Sequence, residues 1–272
     1  MTDDYSLTRA SGVLHVVHSE PRGPSSLYHS SPFQLAPRSR PPGFFAPPVA
    51  LSPVLVSVTR STNADVCQEL PERADAPLLR IDGLRTSHVG PVSLTVSARQ
   101  RIVICGPSGS GKTLFLRALA DLDPNEGEVY LSGERRDYYP PAQWRKQVGM
   151  LPAEACWWAE TVGEHFPVQD RSLLSALGFA LDVMRWPVTR LSSGERQRLA
   201  LLRLLANQPR VLLLDEPTAN LDPGNTLRVE SAVRAYMTEI GACVLWVAHD
   251  QAQIERIADR VERFVEGTFV QS

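Results

Sequence analysis

Gly106-Pro107-Ser108-Gly109-Ser110-Gly111-Lys112-Thr113 has the form G-x-x-x-x-G-K-[ST]. The apolar run Arg101-Ile102-Val103-Ile104-Cys105 leads into it, and Thr113 to Asp121 reads as a helix leading out. A glycine loop between strand and helix is a phosphate cradle. Its glycines let the backbone wrap closely, and successive N–H groups with the helix N-terminus attract negative charge. Lys112 is placed to reach the β- and γ-phosphates of a nucleotide, and the Thr113 hydroxyl to ligate Mg²⁺. The chain otherwise uses arginine, with Lys112 and Lys146 its only lysines, so a lysine at this position stands out.

Further along the chain, Val211-Leu212-Leu213-Leu214-Asp215-Glu216 supplies the complementary half of such a site. A buried apolar strand delivers Asp215 to its C-terminal end, where ligands of open α/β sheets bind. Asp215 is placed to hold the Mg²⁺ shell and Glu216 to polarise an attacking water. From Pro77 onward short apolar runs alternate with helical stretches, which predicts an α/β domain with a largely parallel sheet. Val148 to Leu151 and Cys243 to Ala248 read as further buried strands. Leu199, Leu202 and Leu205 form a core-facing stripe on a helix, and Val261 to Val270, with Glu266-Gly267 in the middle, reads as a closing hairpin. The stretch from Glu154 to Arg190 reads as mainly helical.

Residues 1–76 have a different character. Proline, serine and arginine dominate, as in Ser30-Ser31-Pro32 and Pro41-Pro42-Gly43, and no periodic pattern persists. Such a segment cannot bury enough apolar surface to offset its ordering entropy, so disorder is expected there. A docking tail, or a start codon placed too early, are the other readings. The formal net charge of −2 shows no basic excess, which argues against a dedicated nucleic-acid binder. Cys67, Cys105, Cys156 and Cys243 are scattered, so neither a zinc site nor a disulfide framework is indicated, and reduced thiols are expected. No run approaches the ~18 apolar residues that span a bilayer, and Asp3 and Asp4 sit where a secretory signal carries basic residues. A membrane role is therefore expected to come through a partner.

Leu191-Ser192-Ser193-Gly194-Glu195-Arg196-Gln197-Arg198 resembles the signature sequence of the ABC-type ATPases. It precedes Asp215-Glu216-Pro217-Thr218, then Asn220-Leu221-Asp222, then His249, in that family's order. The resemblance covers residues 78–272 and implies a P-loop NTPase fold of ABC type. That fold has a mainly parallel sheet core, an antiparallel β subdomain and a short helical subdomain at about 154–190. It also implies a head-to-tail dimer with two ATP molecules at the interface. Each nucleotide would be held by residues 106–113 of one copy and by Ser192, Ser193, Gly194 and Glu195 of the other. Glu216 would act as general base, with Lys112 and His249 on the phosphates and Asp222 communicating across the dimer. Thr113 and Asp215 would hold Mg²⁺.

Two positions depart from the family pattern. After Val148-Gly149-Met150-Leu151-Pro152 the family usually has a glutamine, but Ala153-Glu154 follows here, with Glu154 as the substitute. The aromatic adenine platform is missing from Arg85-Thr86-Ser87-His88, leaving His88 to stack. Trp157 and Trp158 lie in the helical insert, where transporter ATPases of this family grip a membrane partner. The resemblance thus implies the ATPase subunit of a transporter, peripheral on the inner face of the cell membrane, whose membrane-spanning permease is a separate chain. Trp144 to Val148 and Val244 to Asp250 are similar to small subunits proposed for iron export. A soluble ABC ATPase serving iron–sulfur assembly is the alternative.

Overall fold

The computed structural model describes residues 77–166 and 171–270. The disorder expected of residues 1–76 lies outside them. In chain order the elements are β1 (Leu79–Arg85), β2 (Val92–Val96), β3 (Arg101–Cys105), α1 (Lys112–Leu119), β4 (Glu126–Leu131), β5 (Glu134–Arg135), α2 (Pro141–Gln147) and β6 (Val148–Leu151). There follow α3 (Arg171–Ala176), α4 (Ser193–Leu205), β7 (Val211–Asp215), α5 (Pro223–Ile240), β8 (Cys243–Val247), α6 (Gln251–Ile257), β9 (Arg260–Val265) and β10 (Thr268–Val270).

Two sheets result. One is antiparallel, ordered β2-β1-β4-β5; the other is ordered β10-β9-β3-β8-β7-β6. In the second, strands β9, β3, β8, β7 and β6 run parallel and only β10 pairs antiparallel. The parallel strands are apolar almost throughout because both of their faces are covered. Val103, Leu212, Leu214, Val244 and Trp246 pack into a core shared with α4, α5 and α6. Their neighbours Ile102, Ile104, Val211, Leu213, Cys243 and Leu245 point the other way, into a core shared with α1 and the antiparallel sheet. The strand period of two thus divides one sheet between two cores.

The helices start and stop where side chains satisfy their free backbone groups. Ser192 and Glu195 form a reciprocal capping box on α4, and Asp222 and Asp250 cap α5 and α6. Helix α1 ends as Asp121 turns left-handed at φ 56°, and the Trp144 indole donates to the Leu119 carbonyl at 2.8 Å. Leu199, Leu202 and Leu205 are buried, as their spacing requires. The hairpin at the C-terminal end turns through Glu266 and Gly267, both at positive φ, as a two-residue turn needs.

Between Glu154 and Arg190 the described residues hold one short α-helix, α3, with 3₁₀ turns at Gly163–His165, Leu181–Arg185 and Val188–Arg190. Gly163, Gly178 and Pro187 interrupt this stretch too often for longer α-helices. It contributes Val162, Leu174, Leu177, Val183 and Met184 to the core under α4. No helix of the described residues is long and apolar enough to cross a membrane.

Candidate nucleotide site

Strands β3, β8 and β7 are neighbours, and all three end on the same edge of the sheet. The loop 106–113 leaves β3 there, Asp215 closes β7, and His249 follows β8. Sequence-distant residues are brought together by strand order alone.

The loop is braced from behind by the β9–β10 hairpin. Gly106 has φ 152°, and a Cβ on it would lie 2.0 Å from the Phe264 carbonyl oxygen. No other residue fits so close to that backbone. At the hairpin turn, Gly267 donates its N–H to the Ser110 carbonyl at 2.9 Å and accepts from Gly90 at 2.7 Å. A Cβ there would meet the His88 carbonyl oxygen at 2.5 Å. The turn between β1 and β2 is thus locked to the phosphate loop through one glycine. Phe264 and Phe269 both pack on Phe115 of α1, with ring centroids 5.5 Å apart in each case.

Lys112 is buried, and its ammonium donates to the carbonyls of Gly106 at 2.9 Å and Pro107 at 2.8 Å. Burial pushes its pKa below the usual lysine value, although the nearby Glu216 and Asp215 carboxylates oppose this. Asp215, only 2 % exposed, accepts a hydrogen bond from the Thr113 hydroxyl at 2.8 Å. Burial raises the Asp215 pKa; the Thr113 bond works against the shift, and the charge of Glu216 adds to it. Glu216 is half-exposed and left-handed at φ 47°, a conformation that costs a non-glycine residue about 1–3 kcal/mol. Its carboxylate lies 2.9 Å from Nε2 of His249.

The oxygens of Thr113 and Asp215 suit a hard cation such as Mg²⁺, and Lys112 with the loop N–H groups suits a polyphosphate. No group of three or more His, Cys, Asp and Glu side chains fit to hold a metal gathers among the described residues. A cation here would therefore draw further ligands from the phosphates or water.

Ser192 to Glu195 and Asp222 form a second group. The Ser192 hydroxyl donates to Glu195 at 2.8 Å, and Ser192 Oγ accepts from the Glu195 N–H at 3.2 Å. The Ser192 backbone N–H, which donates to the Glu195 carboxylate at 2.8 Å, and then the Ser192 hydroxyl hold that carboxyl below its usual pKa. Gly194 packs on the turn before Asp222: a Cβ on it would lie 3.0 Å from a Leu221 methyl and 3.1 Å from the Asn220 carbonyl oxygen. The Asp222 side chain accepts from the Asn225 N–H at 3.0 Å, which holds its pKa low.

The two departures also have positions. Glu154 is exposed. His88 is exposed at the lip of a groove of about 740 Å³ between the β1–β2 turn, Leu114 of α1 and residues 123–126. Trp157 packs against the core, whereas Trp158 is 71 % exposed.

A sequence profile described as "ABC transporter" matches residues 89–219. The "Aliphatic sulfonates import ATP-binding protein SsuB 1" of Nocardia farcinica is 37% identical over 199 residues, covering 70% of this chain and 78% of that relative. The chain belongs to the ABC transporter ATP-binding proteins. Within this family, the "Probable anion import ATP-binding protein" of Haloferax volcanii is 35% identical over 212 residues, covering 66% of this chain and 73% of the relative. The "Fe(3+) ions import ATP-binding protein FbpC" of Streptomyces avermitilis is 36% identical over 197 residues and 66% of this chain, which spans 56% of that relative's length. Among solved structures, "a bacterial Atm1-family ABC exporter with ATP bound" superposes with a TM-score of 0.64 at 22% identity, covering 76% of this chain and 41% of that one. That likeness carries the ABC ATPase fold and nothing finer.

Sequence reading did not find Phe264 or Gln253, and it gave Gly267 only as a hairpin turn and Thr218 only as part of the Asp215–Thr218 landmark. The contacts of Phe264 and Gly267 with the loop, and the side-chain bonds between Thr218 and Gln253, join distant segments that no local motif links.

Proposed function

We propose that the chain is the ATP-binding and ATP-hydrolysing subunit of an ABC importer whose membrane-spanning permease is a separate chain. The observation that carries this is the convergence of Lys112, Thr113, Asp215, Glu216 and His249 on the C-terminal edge of β3, β7 and β8. In this reading the loop 106–113 wraps the phosphates of ATP, and Lys112 exchanges its carbonyl partners for the β- and γ-phosphates. Thr113 and Asp215 hold Mg²⁺, which when bound neutralises charge on the phosphates. Glu216 takes a proton from the attacking water, and His249, already paired with Glu216, orients that carboxylate and contacts the γ-phosphate.

Ser192, Ser193, Gly194 and Glu195 face the nucleotide of a second copy in a head-to-tail dimer, and Asp222 communicates between the two sites. Gly194 packed against Asn220 and Leu221 supports that coupling, because the signature helix and the Asp222 turn then move together. The chain lies at the inner face of the membrane through its permease. Import is favoured over the iron export expected from Trp144 to Val148 and Val244 to Asp250, since the three relatives described above are named for import of iron, anions or sulfonates.

The test uses Glu216→Gln, which keeps the shape of the site and removes the base. With ATP and Mg²⁺ it should stop turnover and run as a dimer in light scattering; a monomer would count against the sandwich. Captured from detergent-solubilised cells, the same variant should bring an integral membrane protein in fixed ratio. Soluble partners alone would favour the assembly-factor alternative.

A further inference from the structure

Behind Glu216 and His249 lies a polar network centred on the buried Glu230 and Gln253. Glu230 of α5, 2 % exposed, receives two bonds from the Arg256 guanidinium, at 2.8 Å from Nε and 2.7 Å from Nη2. The Gln253 amide donates to the same carboxylate at 2.9 Å and, from the same nitrogen, to the Thr218 hydroxyl at 3.0 Å. The Gln253 backbone N–H donates to the Asp250 carboxylate at 2.6 Å. Thr218 stands two places after Glu216, and Asp250 directly follows His249.

We infer that Gln253 is a positioning residue for ATP hydrolysis: it ties the segment carrying Glu216 to the segment carrying His249 and so sets the distance between the two. The inference rests on the proposed hydrolytic role of that pair. A left-handed glutamate persists only where its surroundings over-determine it. Here the Ala219 N–H returns to the Glu216 carbonyl at 3.2 Å, and Gln253 pins Thr218 just beyond. On the other side, Asp250 starts α6 by capping Gln253, which fixes where His249 leaves β8. Burial works against the charge of Glu230, but Arg256 and Gln253 outweigh it and keep the carboxylate ionised. An ionised Glu230 fixes which way the Gln253 amide faces, since only its NH₂ side can serve a carboxylate. Glutamine suits the place because one neutral amide donates to Glu230 while both its nitrogen and its oxygen, the latter at 3.2 Å, reach the Thr218 hydroxyl.

The experiment measures steady-state ATP hydrolysis by the full chain carrying Thr218→Val, Gln253→Met, both changes, or Thr218→Ser. Misplacing a reacting group by about 1 Å costs up to ~100-fold, so Thr218→Val and Gln253→Met should each lower kcat at least about tenfold, with KM for ATP within about twofold. The double variant should be no slower than the slower single, as expected when both remove one link. Thr218→Ser, which keeps the hydroxyl, should restore kcat. Thr218→Val preserves volume, and its melting temperature checks that it folds. An unchanged kcat in both single variants would overturn the inference, as would a raised KM at constant kcat or additive losses in the double variant. A wild-type chain that hydrolyses no ATP would overturn the underlying reading and this inference together, and so is distinguishable from failure of Gln253 alone.

Discussion

The Thr113 hydroxyl donates to the Asp215 carboxylate at 2.8 Å, joining the first helix of the nucleotide loop to the end of β7. In this arrangement the two oxygens that a divalent cation needs are already side by side. The bond also spares a buried carboxylate from being left without a donor, a situation that costs about 1–3 kcal/mol.

Replacing Thr113 by Val keeps the volume and removes the oxygen. Nucleotide affinity measured calorimetrically with Mg²⁺ should fall about tenfold, the effect of one charge-assisted contact of about 1.4 kcal/mol. In EDTA the variant and wild type should bind alike. Equal losses with and without Mg²⁺ would remove Thr113 from the cation site.

Asp215→Asn should stabilise the chain in the absence of nucleotide. The folded-state pKa of Asp215 is raised, chiefly by burial. For such a group, stability is fully present below the unfolded pKa and is lost as pH rises through the folded value. Around neutral pH wild type therefore carries a penalty that asparagine lacks. The variant should melt higher at pH 7, and the gap should close as pH falls toward the ordinary aspartate range. With ATP and Mg²⁺ the order should reverse, because wild type alone would gain from the bound cation. A variant that melts lower than wild type at pH 7 without ligand would contradict the burial argument.

Gly106→Ala tests the hairpin brace. The methyl group would meet the Phe264 carbonyl oxygen at 2.0 Å, a backbone contact that cannot turn aside, and φ 152° adds strain. Loss of about 3 kcal/mol in urea unfolding is expected, near the upper end for a single substitution. Gly133→Ala has nothing within 4 Å of its Cβ and φ 85°, so only backbone strain of about 1–2 kcal/mol should be read there. Similar losses at both sites would show that Gly106 matters for its conformation and not for its contact.

The nucleotide loop and the acidic strand end were legible because their chemistry is local: glycines, a lysine and a carboxylate lie within a few residues of a strand. The stripe of Leu199, Leu202 and Leu205 was legible through its period. Strand order was not, since nothing in β3, β7 or β8 says which neighbours which, and it is strand order that brings His249 beside Glu216. The segment 154–190 was read as more helical than it is. Its leucines and valines are spaced for burial, but glycine and proline divide it into 3₁₀ turns whose packing under α4 depends on the rest of the fold. His165, also in that segment, carries no motif at all.

His165 anchors the segment carrying the two tryptophans by hydrogen bonds to its backbone and by ring contacts with both indoles. Its Nε2 accepts from the backbone N–H groups of Trp158 at 3.0 Å and Ala159 at 3.1 Å, and its Nδ1 lies 3.0 Å from the Thr161 carbonyl. A nitrogen that accepts from two donors carries no proton, so Nδ1–H must donate to Thr161. Both indole rings meet the imidazole edge-on, at 4.7 and 4.6 Å, and the Arg203 guanidinium lies 4.8 Å from each indole. His165→Phe keeps an aromatic ring but leaves two backbone donors without their acceptor, at a cost of about 1–3 kcal/mol. Tryptophan emission should change with the substitution, because the backbone of Trp158 loses its anchor and both indoles lose the imidazole they meet edge-on. ATP binding should not, because His165 touches no part of the nucleotide site. If the proposed permease is gripped through the exposed Trp158, capture of the membrane protein should weaken in the same variant while ATP-dependent dimerisation persists. Undiminished capture would place the grip elsewhere on the chain.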